Sequence, residues 1–153
     1  MDLNGYKCLL YGYFEFYELL LEEKSMRNDK ENLIVKLSFE FALEIIEFTE
    51  LLESLRKYNM ANQLFRSGTS IGANIREAQN AESKADFIHK FKIAAKEIDE
   101  TDYWLSLCEK APSYPFKIEL RNKLMSIMKI TTKIIASSKT NSSSNQQIFK
   151  SSN

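Results

Sequence analysis

The chain holds a single histidine, His89, and Asp86 stands three residues before it. An acid followed three residues on by histidine is half of the ligand set with which helical bundles hold two metal ions. That chemistry needs two Glu-x-x-His pairs and further inward carboxylates. Here there is one imperfect half, flanked by Ile88 and Lys90 and off the apolar stripe of its helix. It reads as a surface or partly packed histidine. Ser67 and Ser70 would serve as nucleophiles only with a base against them. The sole histidine falls on a different helix, and neither serine has a Ser-x-x-Lys context. Gly68 and Gly72 lack the Gly-x-x-x-x-Gly-Lys spacing and sit mid-helix, so they build no phosphate loop. The chain therefore reads as non-enzymatic, with no metal, cofactor or small-molecule substrate expected.

What remains unusual is the stretch from Phe65 to Glu77. Leu64, Gly68, Ile71 and Ile75 recur at helical spacing, yet Ser67, Gly68, Thr69, Ser70, Gly72 and Asn74 are poor helix formers. A glycine inside a helix costs about 1 kcal/mol relative to alanine. A helix that keeps two of them is expected to have another main chain pressed against it. Ser67, Gly68, Ser70, Ile71, Gly72, Asn74, Ile75 and Glu77 are therefore the expected helix-packing and assembly residues. Asn74 lies one turn after Ser70 and beside the seam residue Ile75. A buried amide there needs partners, since an unmet one costs about 1–3 kcal/mol. An interhelix hydrogen bond fixing register is one reading, and a subunit or ligand contact is the other. Arg76 and Glu77 are expected to face outward.

The elements that position these residues are helices. Leu37, Phe41, Ile45, Phe48, Leu52 and Leu55 recur in steps of three and four, which predicts an amphipathic helix from Ile34 to Tyr58. Lys57 to Met60 is the expected connection, and a second helix covers Asn62 to Gln79. Ser83 is the expected N-cap of a third helix, with Asp86 nearly completing a capping box. That helix runs to about Glu109, with Phe87, Phe91, Ala94, Ile98, Thr101, Leu105 and Cys108 along its stripe. Tyr103 and Trp104 follow an acidic run, and a core role for Trp104 outweighs an interface role. Ala111-Pro112-Ser113-Tyr114-Pro115 stops the helix. The fourth helix starts near Phe116, carries Leu120, Leu124, Ile127, Thr131 and Ile134, and is expected to fade at Ser137-Ser138. Short connections favour an all-α, antiparallel up-down four-helix bundle over residues 26–138. Residues 139–153, rich in Ser, Asn and Gln, are expected to form a disordered tail.

Composition agrees. The 153 residues include only four glycines and two prolines, which argues against a β-sandwich or barrel. Lysine plus arginine and aspartate plus glutamate are 21 each, so the strongly basic footprint of a nucleic-acid binder is missing overall. Charge is nevertheless uneven, with an acidic first helix and a basic fourth. No run is long and apolar enough to cross a bilayer, no secretory leader is evident, and Cys8 and Cys108 read as reduced thiols. The expected location is cytoplasmic. Residues 1–25 are aromatic and crowded, without clean periodicity. Either translation begins at Met26, or Tyr13 to Lys24 is a genuine extra helix. Starting at Met26 leaves 19 basic and 16 acidic residues, a net charge of +3.

Arg66-Ser67-Gly68-x-Ser70-Ile71-x-Ala73-Asn74-Ile75-x-Glu77 resembles the core motif of the bacterial four-helix bundle proteins encoded by intervening sequences in large-subunit ribosomal RNA. Phe87-Ile88, Phe91, Ile93-Ala94, Glu97 and Glu100-Thr101 are similar to that family's third helix. The likeness covers about Ile34 to Ile135. It departs where Ala95-Lys96 replace a frequent Gly-Ser, and where Ala78-Gln79-Asn80-Ala81 replace a glycine-rich turn. The resemblance implies a small antiparallel bundle that assembles into a ring-like homopentamer, hence a scaffold or adaptor. A related protein, the accessory protein of diversity-generating retroelements, binds a reverse transcriptase and contacts nucleic acid through a basic surface. By that analogy the candidate nucleic-acid contacts are Lys84, Lys90, Lys92 and Lys96 on the third helix. On the fourth they are Lys117, Arg121, Lys123, Lys129 and Lys133.

Overall fold

The structure is a computed structural model that describes the backbone of residues 32–150 and the side chains of residues 32–138. The readings made for residues 1–25, including Cys8 and a start at Met26, lie outside the described residues. Four helices follow one another: α1 (Leu33–Ser54), α2 (Tyr58–Ala78), α3 (Lys84–Lys110) and α4 (Ile118–Lys150). The connections are so short that successive helices must run antiparallel. Each helix packs on two neighbours: α1 on α2, α2 on α3, α3 on α4, and α4 back on α1.

The stripes read from the sequence form the core. Phe41, Ile45, Phe48 and Leu52 of α1 have no exposed surface, nor do Leu64, Ile71 and Ile75 of α2. Phe91, Ile98 and Leu105 of α3 and Leu120, Leu124 and Ile127 of α4 complete the layers. Fully burying one such side chain contributes about 1.5–3 kcal/mol.

Ser83 caps α3 as expected, its Oγ accepting from the Asp86 amide at 3.1 Å. The Glu82 amide in turn donates to Asp86 Oδ2 at 3.3 Å, one residue before the position a capping box would use.

Three boundaries differ from the sequence reading. The first helix ends at Ser54, so Leu55 leaves the seam and is 48% exposed. The cause is Arg56, whose φ of 59° is left-handed. Its amide donates to the Glu53 carbonyl and the Lys57 amide to the Leu52 carbonyl, both at 2.8 Å. That pair of bonds is the Schellman stop, usually built on glycine. The second helix consequently starts at Tyr58 rather than Asn62. The fourth helix does not fade at Ser137-Ser138; its backbone stays helical to Lys150. From Ile118 to Lys150 there is neither glycine nor proline, the residues that oppose a helix most strongly.

Candidate functional site

The two mid-helix glycines of α2 face α1. A Cβ placed on Gly68 would stand 2.8 Å from Ile45 Cγ1 and 2.9 Å from its Cγ2. One placed on Gly72 would stand 3.3 Å from the main-chain oxygen of Ser38. Both contacts are tighter than ordinary van der Waals packing, so the missing side chains are what let the helices approach. Ser38, itself buried, donates its hydroxyl to the Val35 carbonyl at 3.0 Å and so stays satisfied at the crossing.

The remaining small polar residues serve α2 and its other neighbour. Ser67 is buried and donates to the Gln63 carbonyl at 3.0 Å. Its Oγ lies 3.0 Å from the Thr101 hydroxyl of α3, a buried polar contact that ties the two helices in one register. Ile71 and Ile75 are core residues. Ser70 and Asn74 are half-buried, and the Asn74 amide donates to the Ser70 carbonyl at 2.8 Å. The bond found at Asn74 is therefore within its own helix, not the interhelix bond expected. Its amide sits one turn beyond a carbonyl it can reach without crossing a groove. Glu77 is exposed and meets Lys90 of α3 at 2.6 Å, within the same chain.

The basic residues divide into two groups. Arg121 is half-buried between carboxylates, with Nε 3.2 Å from Asp102 and a terminal nitrogen 2.6 Å from Glu109. Its other terminal nitrogen donates to Ser106 Oγ at 3.1 Å. Lys123 donates to Glu44 and lies 3.8 Å from Glu40, which joins basic α4 to acidic α1. The bond to Glu44 raises the Lys123 pKa above its ordinary value, against the lowering effect of burial. Lys90 is raised likewise by its bond to Glu77. These three cations are committed to the bundle. Lys84, Lys92, Lys96, Lys117, Lys129 and Lys133 stay exposed. Among the described residues none of the six has a carboxylate partner.

A further surface was not singled out from the sequence. Along the outside of α1 and α2, Phe39 is 58% exposed, Leu43 47% and Phe65 46%. Phe39 lines a shallow groove with Val35, Ser38, Ala42, Thr69, Gly72, Ala73 and Arg76. Phe65 lies one turn before Thr69, and Leu43 one turn after Phe39, which extends the apolar strip along both helices. The signal was available as large apolar residues opposite the α1 seam.

His89 is exposed, and the described residues hold no cluster of three or more metal-ligating side chains. Trp104 is half-buried and donates its indole N–H to Glu100 at 3.2 Å. Burial pushes the Glu97 carboxyl up, helped by Glu100 and opposed by Arg66. No helix among the described residues is long and apolar enough to cross a membrane.

Four helices around one core, pinned by a glycine ridge, define an antiparallel four-helix bundle. The chain belongs to the family of 23S rRNA-intervening sequence proteins, whose family model matches residues 30–136. A similar solved structure is the crystal structure of a protein of unknown function from the S23 ribosomal protein family of Bacteroides thetaiotaomicron. It is 42% identical, covers 67% of this chain and 98% of its own, and has a TM-score of 0.64. No curated protein matches the chain.

Proposed function

We propose that this protein is a non-enzymatic scaffold whose copies associate through the outer face of α1 and α2. The supporting observation is the exposed Phe39–Leu43–Phe65 strip with the groove beside it. Large apolar side chains exposed along one face, aromatic ones among them, are what the cores of protein interfaces are made of. A fivefold ring is the assembly the family resemblance implies. Mass-resolved light scattering tests the reading. The chain is expected to run as an oligomer, and Phe39→Glu with Phe65→Glu as a monomer of unchanged helical content. A chain that is already monomeric at high concentration refutes it.

A second reading is an accessory protein that binds RNA or a reverse transcriptase. It is favoured by the six lysines that no internal carboxylate neutralises. Repetition of that weakly basic surface around an oligomer would strengthen binding through avidity. A gel shift of structured RNA should then weaken steeply with salt, because each phosphate contact releases counterions. Absence of any shift at low salt removes this reading.

A further inference from the structure

At the end of the bundle where the α1–α2 turn meets the α3–α4 connection, a cleft of about 320 Å³ opens between the two loops. It is lined by Arg56, Lys57, Tyr58, Asn59 and Tyr114. The lining holds two cations, two phenols and an amide, and no carboxylate. Lys57 joins the loops: its ammonium lies 3.4 Å from Ser113 Oγ and 4.6 Å from the centre of the Tyr114 ring. Arg56 is exposed and has no ion-pair partner among the described residues. It occupies the left-handed position that ends α1, where a glycine would sit with less strain. Tyr58 is 61% exposed. The first turn of α2 holds no acid, and Lys57 at its N-cap makes no side-chain capping bond. The nearest carboxylate shown is Glu53, which lines the adjoining hollow on the other side of Tyr58 and not the cleft itself.

We propose that this cleft binds a nucleotide phosphate, with the attached base stacked on Tyr58. The Arg56 guanidinium matches two phosphate oxygens at once, and Lys57 supplies a point charge beside it. An exposed phenol ring is a stacking platform that any base can use. Asn59 in the lining offers both a donor and an acceptor. The site uses none of the six lysines of the RNA reading and none of the α1–α2 strip, so it stands independently of both. The nucleotide has two sources, a free nucleotide or one unit of a single strand.

The test is calorimetric titration of the full chain at low salt with inorganic phosphate, adenosine 5′-monophosphate and a single-stranded oligoadenylate. The nucleotide or the oligonucleotide should bind more tightly than phosphate. Tighter binding of the monophosphate identifies a free nucleotide, and tighter binding of the oligoadenylate identifies a strand. Arg56→Gly and Tyr58→Ala should each weaken binding about tenfold or more, the loss of one charge-assisted contact or one stacked base. Lys129→Ala with Lys133→Ala should leave it unchanged. Glycine suits the left-handed position, so Arg56→Gly keeps its helical signal and a loss of binding is not a loss of fold. Three results would overturn the site: no binding of any probe, equal affinity for phosphate and nucleotide, or binding that Arg56→Gly leaves within about twofold. Binding abolished only by the Lys129 and Lys133 changes would overturn it too.

Discussion

Replacing Gly68 by alanine puts a methyl group 2.8, 2.9 and 3.0 Å from three side-chain carbons of Ile45. Comfortable carbon–carbon contact is about 3.5–4.0 Å, so the overlap is roughly 0.5–1 Å. Ile45 is 0% exposed and has no solvent to turn into. Overpacking of this kind costs about 1–3 kcal/mol. Alanine returns about 1 kcal/mol of helix propensity. The expected net loss for Gly68→Ala is therefore up to about 2 kcal/mol. Ile45→Ala removes all three contacting carbons and should cost about 2–5 kcal/mol through the cavity it leaves. In the double variant the new methyl group moves into that cavity. The pair should be more stable than the sum of the single effects by about 1–3 kcal/mol. The assay is urea unfolding followed by circular dichroism, at one protein concentration because association would shift the midpoint. A cycle that closes to within about 0.5 kcal/mol would refute the close approach of α1 and α2 at this point. So would a Gly68→Ala variant more stable than the parent.

Other expectations follow from single groups. Thr131 is buried, and its hydroxyl has no hydrogen-bond partner among the described residues. Thr131→Val should raise stability by about 1 kcal/mol in the same unfolding assay, and a fall would show that the hydroxyl is satisfied. Arg121→Ala removes the cation between Asp102 and Glu109 and should lower stability by about 1–2 kcal/mol, discounted for partial exposure. Because its charge is spent inside the bundle, it should leave any RNA affinity unchanged; a lost gel shift with an intact melting temperature would contradict that. Burial pushes the Cys108 thiol from 9.0 up to about 11. In a Cys8→Ser background a thiol reagent at about pH 8 should react only after urea is added, because burial keeps the group as an unreactive thiol. The unfolded thiol ionises before the folded one. Cys108 therefore supports the fold fully below pH 9.0 and progressively less as pH rises towards about 11. A Cys108→Ala variant with the same alkaline unfolding profile would dismiss that contribution.

The core was legible because each amphipathic stripe states its own period. Phe41, Ile45 and Phe48, or Leu120, Leu124 and Ile127, need no knowledge of a partner to be placed inside. The glycine ridge was legible for a related reason, since Gly68 and Gly72 contradict the propensity of the helix that contains them. The end of α1 was not. Arginine holds the left-handed position at residue 56, and no local signal separates it from an arginine that continues the helix. Nor could the sequence separate Arg121 and Lys123 from the other basic residues of α3 and α4. Their partners, Asp102, Glu109, Glu40 and Glu44, lie on other helices. Such pairing depends on how two helices are offset along their axes, which no single-helix period encodes. Asn74 was ambiguous for the opposite reason. A carbonyl one turn back in its own helix lay within reach, and its amide bonds to that one.

Three of the four seams lie between helices that are consecutive in the chain, so they can zip one after another as hairpins. Short sequence separations of that kind favour rapid folding. The α4–α1 seam is different, because its Lys123–Glu44 bond spans 79 residues. It closes the bundle only after the other three have brought its edges together. A nascent chain still lacking α4 would leave the edge of α1 that α4 covers open to whatever apolar surface it meets first, its own sister copies among them.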